Sequence, residues 1–164
     1  MRRALAVFAA LAALATAGAV SASGPDFAGR WRLVEQTYGR GEANLEPAGG
    51  PLILEFIPQG AGFAGNIHPE TAGVAARPWP AWQASGRDLP LQLLDPPGLT
   101  KGGAIRAHYL VKPSDGDSLV LEVQETYRVE PGGDSLTGTV EVTFRLGDET
   151  RGSYTLHRRF ERVR

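Results

Sequence analysis

The sequence predicts an all-β protein, a single antiparallel up-and-down β-barrel of about eight strands. Three observations carry this. Apolar residues recur with period two over most of the chain and almost nowhere at helical spacing. The last third consists of three long alternating runs joined by short turns, the pattern of an antiparallel meander. No amphipathic helix is available to cover the apolar face of such a sheet, so the sheet must curl on itself or split into a sandwich. Closing it also removes the exposed edges that invite aggregation.

The elements follow in chain order. The first 22 residues, MRRALAVFAALAALATAGAVSA, have the charged head, apolar middle and small-residue cleavage site of a secretory signal peptide. Their apolar run is too short to span a bilayer, so no stable membrane span is expected after cleavage. The mature chain, residues 23–164, is expected to form one domain acting in the periplasm or outside the cell. The chain has no cysteine, which excludes disulfides and a lipid-anchored leader. Without Arg2 and Arg3 there are 15 basic residues against 18 acidic, and this balance offers no nucleic-acid surface.

In GRWRLVEQTY, period two places Trp31, Leu33, Glu35 and Thr37 on one face. PLILEFIP offers Leu52, Leu54 and Phe56, and the glycines that follow turn the chain into Phe63, Gly65 and Ile67. AIRAHYLVK groups Ile105, Ala107, Tyr109 and Val111. SLVLEVQETYRV then puts Leu121, Val123, Glu125 and Tyr127 inward, and LTGTVEVTFRL does the same for Leu136, Gly138, Val140, Val142 and Phe144. RGSYTLHRRF places Tyr154, Leu156, Arg158 and Phe160 on the apolar side. Between Ala72 and Gly103 the pattern fails. Five prolines and two tryptophans there predict a long loop with one or two short edge strands near Leu89–Leu94.

Gly29-Arg30-Trp31, at the head of the first strand, is similar to the Gly-x-Trp signature of lipocalins and related calycin-type barrels. That resemblance implies that Trp31 plugs the closed end of a barrel and that an arginine from near the chain's end lies across its ring. Arg158, inward by alternation, is the expected partner, because an inward guanidinium needs one. The resemblance covers about Phe27–Tyr38 and Leu119–Phe160 and leaves the middle unmatched. The alternative is that Trp31 is a core residue of another sandwich.

Little in the chain announces catalysis. No Gly-x-Ser-x-Gly elbow and no phosphate-cradling loop is present. His108 and His157 face outward by alternation, and His68 precedes Pro69 at a strand end, so neither a metal nor another cofactor is expected. Ser114–Ser118, SDGDS, is better explained as a hairpin turn than as a calcium loop. Glu35 and Glu125 fall on inward faces. Each must pair there, line a wet cavity, or serve as an acid–base group.

The leading expectation is a non-enzymatic binding protein for a small apolar or amphipathic ligand. Tyr109, Tyr127, Phe144 and Glu125 would line its cavity, with Trp79 and Trp82 over the open end. The alternative is a protein-interaction module with a side-chain-filled barrel, such as an inhibitor or accessory subunit of an exported partner. Trp79 and Trp82 would then be an exposed hot spot. An enzyme using Glu35 or Glu125 is a third possibility.

Overall fold

Alternation on the sequence becomes alternation in space. The computed structural model describes residues 25–39, 52–59, 62–84, 87–112 and 118–164. The expected signal peptide and most of the expected SDGDS turn lie outside the described residues. Eleven strands are present among the described residues: β1 Gly29–Tyr38, β2 Leu52–Gln59, β3 Gly62–Pro69, β4 Arg77–Trp79, β5 Gln83–Ala84, β6 Arg87–Asp88, β7 Leu91–Leu99, β8 Ile105–Val111, β9 Leu119–Val129, β10 Ser135–Leu146 and β11 Glu149–Arg162. The β5–β6 pair is a separate two-stranded ribbon.

The other nine form one antiparallel sheet in the order β4-β3-β2-β1-β11-β10-β9-β8-β7. β8 to β11 are the expected meander, and β11 returns to pair with β1, which is flanked on its other side by β2. The sheet is curled into a half-barrel. β3 comes up against β7 across the open side, but no ladder joins the two edges among the described residues.

The expectation of a closed barrel of about eight strands is therefore corrected. The edges supply the physical reason. β4 is three residues long and contains Pro78. β7 carries Pro96 and Pro97, and its pairing with β8 slips between Leu93 and Asp95 and again between Asp95 and Gly98. A proline has no N–H to donate, so neither edge can run an unbroken ladder to the other. β7 is also the edge strand expected near Leu89–Leu94, longer than anticipated.

The concave face holds the core. Phe27, Trp31, Leu54, Phe56, Ile105, Tyr109, Val123, Tyr127, Leu136, Val140 and Phe160 are all buried there. Phe56 stands at its centre, edge-on to Trp79 at 5.3 Å, to Tyr127 at 5.7 Å and to Phe27 at 6.1 Å between ring centroids. Such edge-to-face pairs add about 0.5–1.5 kcal/mol each beyond the burial itself.

An arginine does lie across the Trp31 ring, but it is Arg162 and not the expected Arg158. The guanidinium carbon of Arg162 lies 4.2 Å from the centroid of the Trp31 ring, and Trp31 and Arg162 are direct partners in the β1–β11 ladder. Arg158 pairs instead with Gln36, further along the same ladder. Trp31 also donates from Nε1 to the Phe27 carbonyl at 3.0 Å. Gly29, at φ 118°, sits beside the Arg162 guanidinium.

Candidate functional site

The site is built from four inward positions of the meander and two neighbours that reach it from elsewhere. Glu125 is 4% exposed, between Val123 and Tyr127 on the inner face of β9. Directly opposite on β8 is Ala107, whose small side chain leaves room for a carboxylate. Three donors surround the carboxylate. Trp79 gives its Nε1–H to Oε2 at 2.9 Å, Tyr127 gives its hydroxyl to the same oxygen at 2.6 Å, and the Tyr109 hydroxyl bonds Oε1. Water is thus replaced by protein donors, the condition under which a buried polar group is tolerated.

Two glycines seat two of these rings. A Cβ on Gly138 would lie 2.6 Å from Cε1 of Tyr127, and one on Gly65 would lie 2.9 Å from the Cβ of Trp79. Both face their ring directly in the ladder, Gly138 opposite Tyr127 and Gly65 opposite Trp79. In a strand interior glycine weakens the strand, and here it does so to let a ring lie flat on the backbone.

Arg158 is the fixed cation of the site. Its Nε donates to Oε1 of buried Gln36 at 2.8 Å. Burial works against its charged form, but the neighbouring Tyr127 and Glu125 outweigh this and hold its pKa above the ordinary arginine value. The Tyr109 and Tyr127 phenols are both pushed up, first by burial and then by the Glu125 charge.

Glu35 is not in the site. Leu33 pairs with Phe160 and Glu35 with the next residue back, Arg159, so Val34 is an extra residue bulged out of β1. Val34 and Glu35 both face solvent, and Glu35 pairs with Arg159 at 3.1 Å. Gln36 takes the inward place that simple alternation assigns to Glu35.

A cavity of about 190 Å³ opens above this polar floor. Gln36, Glu125, Tyr127 and Arg158 form its base, Leu52, Leu54, Ile67 and Phe160 are among its apolar walls, and Trp79, Trp82 and Arg77 stand on the β4 side. Of the residues expected to line a cavity, Tyr127, Glu125, Trp79 and Trp82 do so. Tyr109 is fully buried behind Glu125, and Phe144 packs on Tyr154 at 5.7 Å without reaching the cavity wall. Alternation gave both the correct face, but not their height along the strand.

The sequence reading missed Gln36, which the bulge brings inward, and Arg77, which stands in the proline-rich stretch where alternation gives no signal. On the convex face, His108 lies between Asp95 at 3.2 Å and Glu122 at 2.9 Å, and His68 bonds Glu55 at 2.7 Å. Among the described residues no group of three or more His, Asp or Glu side chains could hold a metal ion. No known family model matches the chain, and no curated protein sequence is significantly similar to it.

Proposed function

We infer that the protein is a non-enzymatic binding module, lipocalin-like in construction, that holds a small apolar or amphipathic ligand in the concave face of its half-barrel. The observation that carries this is the cavity, with apolar walls and a few fixed polar groups at its base, the usual composition of a small-molecule site. An acid–base role for Glu125 draws no support from the geometry, since three donors already occupy its oxygens. The exported location rests on the leader-like first 22 residues.

The alternative, a protein-interaction module with exposed tryptophans, is weakened by the burial of Trp79 and the partial burial of Trp82. Native mass spectrometry of protein purified from its own host tests the binding function. A non-covalent mass that leaves on denaturation is expected. The bare polypeptide mass, together with an unmoved Trp79 indole N–H resonance across short-chain alcohols, amides and carboxylates, would overturn it.

A further inference from the structure

Arg158 stands on the floor of the cavity with most of its hydrogen-bonding capacity unspent. A guanidinium donates from every one of its nitrogens. Nε gives its proton to Gln36 at 2.8 Å, and the terminal nitrogens approach the Tyr127 hydroxyl, which itself donates to Glu125. The remaining terminal N–H groups have no acceptor among the described residues. They are not shut away either. Arg158 is only partly buried and lines the cavity, whereas the sealed donors without a partner among the described residues are Nε of Arg77 and Nε of Arg145. Arg77, the other cation of the cavity wall, is moreover turned to Asp88 at 3.1 Å.

The acceptors of the floor are already taken. Glu125 receives bonds from Trp79, Tyr109 and Tyr127, and Gln36 Oε1 receives the Arg158 Nε–H. Because that oxygen must face a donor, the Gln36 amide nitrogen is turned elsewhere, and it adds a further donor without an acceptor among the described residues. A ligand that reaches the floor therefore meets N–H groups and a guanidinium. The head group that fits is one that only accepts.

Resting on the ligand-binding function above, we propose that Arg158 seats the head group of a short-chain monocarboxylate at the bottom of the cavity. The carboxylate accepts from the terminal nitrogens of Arg158. Its chain runs outward past Leu54 and Ile67 to the partly buried Trp82, where exposed Tyr38 forms part of the rim. The paired oxygens of a carboxylate match the paired nitrogens of a guanidinium, and such bonds are stronger than neutral ones. An ammonium head would meet like charge, and an amide would turn its own N–H groups against the floor donors. Size agrees with the class. A cavity of about 150 Å³ holds a benzene-sized molecule, so about 190 Å³ suits a ligand of about six to ten non-hydrogen atoms.

The test compares hexanoate with its neutral isostere hexanamide, following the Trp79 indole N–H by NMR in the full chain. Hexanoate is expected to bind about tenfold more tightly, the usual worth of a charge-assisted hydrogen bond. Arg158→Met should abolish that preference or reverse it, because Glu125 then stands without its offset. Nuclear Overhauser contacts of bound hexanoate read the orientation on the unaltered protein, and they keep the test decisive if Arg158→Met does not fold. The methylene beside the carboxylate should contact the Tyr127 and Phe160 rings, and the terminal methyl the Trp82 ring. Equal binding of both compounds, a preference for hexanoate that survives Arg158→Met, or a methyl lying against Tyr127 would leave the binding function standing and overturn the assignment to Arg158. Binding of neither compound would overturn the binding function along with it.

Discussion

A carboxylate in the middle of an apolar face persists only where donors replace its water, and Glu125 meets this condition with two phenols and an indole. Its charge also offsets that of Arg158, whose guanidinium interacts with the Tyr127 hydroxyl. Removing Glu125 leaves its three donors without an acceptor and the partly buried Arg158 without this offset. Glu125→Gln is therefore expected to cost about 1–3 kcal/mol, because the charge-assisted bonds from the three donors weaken and Arg158 loses its electrostatic offset. Adding Arg158→Met should restore part of the loss, since replacing both members is far cheaper than breaking the pair. Urea unfolding midpoints decide this. A Glu125→Gln protein as stable as the parent would mean that the three donors alone hold the site. Alternation on β9 made Glu125 legible as an inward acid. Its three partners were not legible, because Trp79 arrives from a segment with no periodic pattern and the two tyrosines carry no mark of what they bond.

Among the elements, the last turn of chain on β11 does more than complete a ladder. Arg162 stacks on Trp31 and donates to three backbone carbonyls, Gly133 at 2.9 Å, Ala28 at 2.8 Å and Asp26 at 2.8 Å. It thereby ties the lead-in to β1, the β9–β10 turn and the end of β11 into one knot. Arg162→Met keeps much of the apolar stem but loses every donor. It should cost about 2–3 kcal/mol, combining the stacking with hydrogen bonds from a charged group. Arg162→Lys should recover less than half, because a point charge cannot reproduce the planar fork. Differential scanning calorimetry of the two variants measures this, and full rescue by lysine would show that charge rather than geometry matters. The resemblance to a Gly-x-Trp barrel pointed to an arginine over Trp31, and period two pointed to Arg158 as inward. Both observations hold separately, on different arginines. Four residues separate two positions of the same parity on one strand, and parity alone cannot say which of them reaches the end of the sheet. The bulge at Val34 hides Gln36 for a related reason, since one unpaired residue reverses every later assignment on that strand.

At the scale of the whole molecule, alternation was enough to recover β1 to β3 and β8 to β11, because each has one face on the core and one in water. It could not foretell that the sheet stays open, which depends on hydrogen-bonding capacity at its two proline-bearing edges rather than on hydropathy. The buried phenols bonded to Glu125 couple the stability of the fold to alkaline pH. The Tyr109 and Tyr127 phenols have ordinary values of 10.0 and are raised above it in the folded state, by burial and by the Glu125 charge. In the unfolded chain both ionise at the ordinary value. Below pH 10 both phenols are protonated in the folded and the unfolded chain alike, and the stabilisation they report is fully present. As the pH rises past 10 the unfolded chain sheds these two protons, which the folded chain keeps, and half-buried Tyr154, raised by burial, adds its own share, so stability must fall. The slope approaches about 1.4 kcal/mol per pH unit for each phenol, or about 2.7 for the pair. Urea midpoints taken from neutral pH to about pH 11 should therefore bend downward above 10. In Tyr109→Phe or Tyr127→Phe the slope should drop by one phenol's share, even though either variant starts from a lower stability at neutral pH through loss of a bond to Glu125. An alkaline limb that keeps its full slope in the double Phe variant would assign the proton release to other groups and remove the coupling between the buried cluster and the fold.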